Sequence, residues 1–262
     1  MTDEILAMLD ADEYPALYGY LAAQLDDAGG AEPDGPYDMA LRLLALDRPK
    51  PLPPYVIELI EALLLRAVDA GDADAMNTLG AQYYDGSRGF EQSYRKAAYY
   101  YTLAVEHGSR QARENLGYVY YYGRLGAPDY ERAFHLFAPG AFEGRPVSLY
   151  KIGDMYRNGY YVPKNEQEAF CIYMRCLETM TPETEPFAAG PVYLRLGRMF
   201  LDGTGADRDA KTALLCFQKA EIHLYDMVLG GHAMYKKSLR AAVEGQSKAR
   251  AELLHSLDDA LS

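Results

Sequence analysis

The sequence contains few cysteines, no tryptophan and no long apolar run. Its three cysteines, Cys171, Cys176 and Cys216, are odd in number and irregularly spaced, so we expect buried thiols rather than a disulfide scaffold or a metal-binding pair. No segment approaches the roughly 20 apolar residues of a membrane span, and the N-terminus has no basic region followed by an apolar stretch. We therefore expect a cytoplasmic protein that does not contact membranes.

Positive charge is also scarce. The 262 residues include 26 lysines and arginines against 38 aspartates and glutamates, which gives a formal net charge of -12. An acidic chain without a compensating basic run repels phosphate backbones, so nucleic acid is not an expected partner. Hydrophobic residues make up 49% of the chain, which is typical of folded domains and argues against wholesale disorder.

Motifs for catalysis and for cofactors are absent from the sequence. It has no nucleophile elbow, zinc-protease motif, Walker loop, dinucleotide-binding glycine pattern or EF-hand loop. No two of its five histidines are three or four residues apart, as two metal ligands on one helical face would be. We therefore expect no enzyme activity, no cofactor and no metal.

Two motifs alternate along the chain four times. The first is leucine or isoleucine and then glycine, with an aromatic residue three positions after that glycine and a second glycine six positions after it. Its first glycines are Gly80, Gly117, Gly153 and Gly197. The second motif is alanine, with an aromatic residue four positions later and a small residue seven positions later. Its alanines are Ala97, Ala133, Ala169 and Ala213. Both motifs place their residues on one stripe of a helix, which predicts an all-α fold with two helices in each repeat.

The repeats also predict how the helices begin, end and pack. The second glycine of each first motif is expected to end a helix in the left-handed conformation, while the first glycine allows close approach of the paired helix. Asp129, Asn165 and Asp207 precede second helices and are expected to cap them. Thr179–Pro191 lengthens one repeat and contains proline and acidic residues, so we expect a protruding loop there.

The ends of the chain depart from the repeat pattern. We expect residues 55–225 to form the repeats, flanked by irregular helical caps at 1–54 and 226–262, because terminal repeats must face solvent. The first cap is expected to contain a helix at Pro15–Leu25. The second is expected to contain two helices, Ala233–Glu244 and Gln246–Leu261.

The two motifs resemble the Sel-one-like repeat family, a relative of the tetratricopeptide repeat, over about residues 72–225. The resemblance implies a right-handed α-solenoid of antiparallel helix pairs and a scaffolding or adaptor role. It also implies that ligands lie on a concave wall of first helices, three positions before the first glycine and one, four and five positions after it. The candidate binding residues at those positions are Asn77, Tyr84, Glu114, Tyr118, Tyr121, Tyr122, Tyr150, Asp154, Arg157, Asn158 and Arg198.

Tyrosine and arginine often anchor interfaces, which favours a protein–protein interaction module that holds a peptide or protein segment in this groove. The tyrosines could instead only pack. One alternative is an immunity or inhibitor protein that uses an acidic outer face and the Thr179–Pro191 loop. Another is a hydrolase in which Glu114 and Asp154 act as acid and base, which requires a strongly raised carboxylate pKa in a deep pocket.

Overall fold

The structure is a computed structural model that describes residues 4–5, 7–8, 11, 13, 16–17, 19–20, 35–45, 52–181 and 185–261. From residue 35 onward the described part consists of eleven α-helices, two short 3-10 turns and connecting segments, with no β-strand. The helices are α1 (Pro36–Leu44), α2 (Pro54–Asp69), α3 (Ala73–Asp85), α4 (Tyr94–Glu106), α5 (Arg110–Tyr121), α6 (Tyr130–Phe142), α7 (Pro146–Asn158), α8 (Glu166–Glu178), α9 (Glu185–Asp202), α10 (Ala210–Leu229) and α11 (Lys236–Leu261).

The chain forms two compact units, residues 1–127 and 128–262. In the first unit, each helix from α1 to α5 packs against the next one along the chain. In the second unit, the same is true from α6 to α11, and α7 also contacts α9. This succession of helix pairs confirms the predicted all-α repeat fold. The predicted cap boundaries at residues 54 and 225 stay predictions.

The repeated glycines have the two roles that the sequence predicts. Gly159 ends α7 in the left-handed conformation (φ 71°), and its N–H donates to the carbonyl of Met155. Gly153, inside α7, faces the Tyr173 ring of α8, and a Cβ added to it would lie 2.6 Å from that ring. The missing side chain therefore lets the two helices of a pair approach closely.

Two of the three predicted caps are confirmed and the third is wrong. The side chains of Asp129 and Asn165 each accept a hydrogen bond of 3.0 Å from a backbone N–H in the first turn of α6 and α8. Asp207 caps no helix. Because α10 begins at Ala210, the adjacent Asp209 is its cap and accepts hydrogen bonds from two backbone N–H groups, each at 3.0 Å.

The predicted loop at Thr179–Pro191 is wrong over its second half, where α9 has already begun. Residues 182–184 lie outside the described range. Ala188 and Ala189 are fully buried, and a Cβ on Gly190 would lie 2.8 Å from the Leu224 side chain of α10. Tight packing on α10 stabilises a helix here against the local preference of glycine and proline.

The two helices predicted for the C-terminal cap are one continuous helix, α11. Gly245, expected to separate them, faces the Phe217 ring, and a Cβ there would lie 2.5 Å from that ring. Phe217 belongs to an apolar core formed by α9, α10 and α11. In the N-terminal cap, most of the predicted helix Pro15–Leu25 lies outside the described residues, although 16–17 and 19–20 are helical.

All three cysteines have free thiols, and two of them are buried as predicted. Cys171 is exposed, so its predicted burial is wrong. The reason is its position in α8, whose buried residues are Ala169, Tyr173 and Cys176. Cys171 lies two positions after Ala169, which turns its side chain to the opposite side of the helix.

Candidate interaction surfaces

In the first unit, tyrosines from three helices surround Arg124. The Arg124 guanidinium lies 5.7, 5.2 and 5.5 Å from the ring centroids of Tyr84, Tyr94 and Tyr122. Its Nε also donates a hydrogen bond of 3.1 Å to the Tyr84 hydroxyl. Two further rings contact Tyr122. We name this cluster the Tyr–Arg patch; its members are Tyr84, Tyr94, Tyr118, Tyr121, Tyr122 and Arg124.

The local sequence explains why the rings of the patch meet. Tyr121 and Tyr122 follow Tyr118 by three and four positions, so all three share one helical face. Tyr118 stacks on Tyr122 with ring centroids 5.9 Å apart, and Tyr121 meets Tyr122 edge to face at 5.1 Å. Tyr84 and Tyr94 stand at the end of α3 and the start of α4, and their ring centroids are 5.3 Å apart. Short connections between helices thus gather side chains from α3, α4 and α5.

The patch combines a fixed arginine with solvent-exposed surface. Tyr122 is 48% exposed and Arg124 is exposed, while the other four side chains are half-buried. The hydrogen bond that Arg124 donates to the Tyr84 hydroxyl raises the pKa of Arg124, and burial raises the pKa of Tyr84. The arginine therefore stays charged and the tyrosine stays neutral across the physiological pH range. Cation–π contacts and the hydrogen bond together hold the guanidinium in place.

Two predicted binding residues of the first unit lie elsewhere. Asn77 accepts a hydrogen bond of 2.9 Å from the side-chain amide of Asn115 on the neighbouring first helix. Glu114 is only 2% exposed, which leaves it no open surface for a partner. Of the predicted residues in this unit, only Tyr84, Tyr118, Tyr121 and Tyr122 are brought together in the patch.

In the second unit, a buried ion pair joins α7 to α9. The Arg195 Nη2 donates to Oδ2 of Asp154 at 2.6 Å, and its Nε donates to Oδ1. The Tyr173 hydroxyl donates to the same Oδ1 at 2.7 Å, and the Lys151 Nζ lies 3.9 Å from Oδ2. Asp154 and Lys151 are 5% and 2% exposed. Both carboxylate oxygens of Asp154 are thus engaged inside the fold.

Burial and charge act against each other in this cluster. Burial by itself raises the pKa of Asp154, but the charge and hydrogen bonds of Arg195 outweigh it and hold the pKa below its usual value. Burial lowers the pKa of Lys151 to about 7, against the attraction of Asp154. The hydrolase alternative needs a carboxylate with a raised pKa, and Asp154 has the opposite shift.

The remaining predicted residues of the second unit surround this ion pair. Tyr150 is 3% exposed, and Arg195 lies 5.2 Å from its ring centroid. Asn158 is exposed, and its amide donates a hydrogen bond of 2.7 Å to the carbonyl of Asp154. Arg157 is half-buried and Arg198 is exposed. Polar side chains that can reach a partner are therefore found one turn beyond the ion pair.

Sequence reasoning missed three charged residues of these clusters: Arg124, Lys151 and Arg195. Lys151 and Arg195 occupy the same repeat position, two residues before the first glycine. The prediction considered the position three residues before that glycine but not this one. A cation at that position in two successive repeats was a signal available in the sequence. Arg124 follows the second glycine of its repeat, and no repeat rule assigns a role to that position.

The described residues contain neither a candidate metal site nor a helix that could span a membrane. No group of three or more histidine, cysteine, aspartate or glutamate side chains in this part of the chain is arranged to hold a metal ion. None of its helices is both long enough and apolar enough to cross a membrane.

Three of the four repeat starts found by comparison with known families coincide with the starts of helix pairs in the structure. The Sel1 repeat model matches residues 73–109, 110–141, 146–170 and 191–221, and the first three matches begin at the starts of α3, α5 and α7. The chain belongs to the Sel1 repeat family. Proteins of this family commonly mediate protein–protein interactions. No curated protein sequence matches this Sel1 repeat protein significantly.

Solved structures share its fold at low sequence identity. A Sel1 repeat protein from Oxalobacter formigenes is 21% identical, with a TM-score of 0.58 and 85% of each chain covered. The protective antigen c5321 of uropathogenic Escherichia coli, which has an SLR fold, is 20% identical with a TM-score of 0.50. That alignment covers 93% of this chain and 56% of c5321. The immunity protein Pa5087 of Pseudomonas aeruginosa is 18% identical over 86% of each chain, with a TM-score of 0.44.

Proposed function

We propose that this Sel1 repeat protein is an interaction module that binds a peptide or protein segment, and that the Tyr–Arg patch forms part of its binding surface. The observation that carries the proposal is an arginine held by three tyrosine rings, with exposed surface on Tyr122 and on Arg124 itself. Tyrosine and arginine are the residue types that most often supply a large share of the binding energy at protein interfaces.

The arrangement of the patch suits a protein partner. Tyrosine rings offer apolar area with little side-chain entropy to lose, and the contacts around Arg124 fix it before a partner arrives. The net charge of -12 opposes a polyanionic partner such as nucleic acid. A protein segment that presents apolar and carboxylate groups satisfies both the rings and the guanidinium.

The proposal is tested by quantitative affinity purification from the native host with four forms of the full chain. The forms are the wild type, Tyr122→Ala, Arg124→Ala and the control Tyr99→Ala, which removes a tyrosine that is 62% exposed on α4 and outside the patch. We expect one partner to be recovered equally by the wild type and the control. Both patch variants should lose it by at least about tenfold, since hot-spot truncations cost about 2 kcal/mol or more.

Unfolding midpoints measured on the same four proteins complete the test. The patch variants should unfold within a few degrees of the control, because Tyr122 and Arg124 are exposed. Equal recovery of every co-purified protein by all four forms would remove the patch from the binding surface. Loss of the partner together with a large fall in midpoint would show that the patch only packs.

A further inference from the structure

Two arginines beyond the buried ion pair of the second unit lie close enough to act on each other electrostatically. Arg157 follows Asp154 by three residues on α7, and Arg198 follows Arg195 by three residues on α9. As alternate members of a series of antiparallel helices, α7 and α9 run in the same direction. Three residues are close to one helical turn, so both guanidinium groups lie on the same side of the Asp154–Arg195 pair.

In the part of the chain that the structure describes, no carboxylate forms an ion pair with either arginine. Within residues 52–181 and 185–261, neither guanidinium makes a hydrogen bond or an ion pair. Asp154 cannot serve them, because its oxygens already accept hydrogen bonds from Arg195 and Tyr173. Asp202 is close enough to act on Arg198 electrostatically but does not form an ion pair with it.

The charges on the two helices repel each other. Desolvation and the positive charges of Arg157 and Arg195 lower the pKa of Arg198, and Asp202 and Asp154 only partly oppose them. Two arginines against one aspartate leave one excess positive charge at this place, in a chain whose net charge is -12. A monoanion placed between the guanidinium groups would relieve the repulsion and accept several charge-assisted hydrogen bonds.

We propose that Arg157 and Arg198 form a binding site for a carboxylate group of a protein partner. This carboxylate is either an acidic side chain of the partner or the partner's own C-terminus. The site deepens the proposed function, since it names one chemical group that the bound segment supplies. A carboxylate fits better than a phosphate dianion, because it matches the single excess charge. The forked guanidinium group of arginine can also donate two parallel hydrogen bonds to a planar carboxylate.

The site is tested with small probes, so the result does not depend on finding the partner. Arginine Nε–H resonances of the full chain are followed by NMR while acetate, N-acetylalanine, N-acetylglutamic acid α-amide or inorganic phosphate is added at constant ionic strength. N-acetylalanine represents a chain terminus and the glutamic acid derivative an acidic side chain. The variants are Arg157→Gln and Arg198→Gln, with Arg250→Gln as an exposed control on α11.

We expect the carboxylate probes to shift the Arg157 and Arg198 resonances in the wild type and in the control. Binding should weaken at least about tenfold when either arginine is replaced, because charge-assisted bidentate hydrogen bonds are lost. The probe with the higher affinity identifies the source of the carboxylate. Arg198→Gln should also keep or raise the unfolding midpoint, since it removes a repulsion.

Three results would overturn the site. These are unchanged resonances with every probe, equal affinity in the variants and the wild type, or phosphate bound more tightly than any of the three carboxylate probes. A fall in the midpoint of Arg198→Gln would show that this arginine has a structural partner. None of these outcomes depends on the Tyr–Arg patch, so failure of this site and failure of the proposed function are distinguishable.

Discussion

Replacing Asp154 by asparagine tests the buried ion pair that joins α7 to α9. Asparagine keeps the shape of the side chain but removes the charge that faces Arg195, Tyr173 and Lys151. It leaves Arg195 uncompensated in a site where the Asp154 side chain is only 6% exposed and that of Arg195 only 20%. Removing one partner of a buried pair typically costs about 3 to 5 kcal/mol, because the other charge stays buried.

The matched control is an exposed ion pair on neighbouring elements of the same unit. Arg208 and Glu252 are 2.8 Å apart, and the Arg208 side chain is 63% exposed. Since water screens such a pair, Glu252→Gln should change the free energy of unfolding by no more than about 1 kcal/mol. Urea unfolding at pH 7 measures both variants. A loss of less than about 1 kcal/mol for Asp154→Asn, or equal losses for the two variants, would refute the structural role of the buried pair.

The same ion pair makes a prediction about pH. Because Arg195 holds the folded-state pKa of Asp154 below its usual value, the stabilisation is fully present above the ordinary aspartate value of 3.8. It is lost as the pH falls from there through the lowered folded-state pKa. The difference in unfolding free energy between the wild type and Asp154→Asn should therefore shrink in acid. A constant difference down to the acid transition would contradict this assignment of the pKa shift.

Three further predictions concern single side chains. Gly153→Ala should lower the free energy of unfolding by about 1 to 3 kcal/mol, because its Cβ would lie 2.6 Å from a tyrosine ring. At the helical Gly19, a Cβ meets nothing within 4 Å, so Gly19→Ala should be neutral or stabilising by up to about 1 kcal/mol. Equal urea midpoints for the two variants would contradict this. Lys151 has a folded-state pKa of about 7, so the unfolded state binds more protons above that pH. Stability should then rise by about 1 to 2 kcal/mol from pH 7 to 8.5 in the wild type, and a rise that persists in Lys151→Met would show another origin. Cys171 should be the one thiol that a maleimide labels in the native protein, as mass spectrometry would show, and rapid native labelling of the other two thiols would contradict their burial.

Much of the fold follows from the sequence because its repeats impose local rules. Gly153 and Gly159 recur at fixed positions, and their roles depend only on a close helix contact and a left-handed helix end. Where the sequence was misleading, tertiary packing decided. Gly190 and Gly245 looked like helix breaks, but each lies where a side chain of α10 leaves no room for a Cβ.

The candidate sites were harder to predict, because they depend on which neighbouring helix supplies a counter-charge. The predicted offsets selected Asp154 but not Arg195, whose guanidinium occupies both of its carboxylate oxygens. Spacing along one helix also placed Tyr118, Tyr121 and Tyr122 on a common face, as found. It could not indicate that Arg124, from the segment after α5, would pack against Tyr122 and against the rings of Tyr84 and Tyr94.

Site-specific photo-crosslinking tests the central claim, binding through the Tyr–Arg patch, most directly. A photoreactive phenylalanine derivative is placed at position 122 or, as a control, at position 99, and the full chain is irradiated in its native host. The account predicts a discrete adduct with one protein from position 122 but not from position 99, and loss of that adduct when Arg124→Ala is added. No adduct from position 122, or the same adducts from both positions, would contradict it.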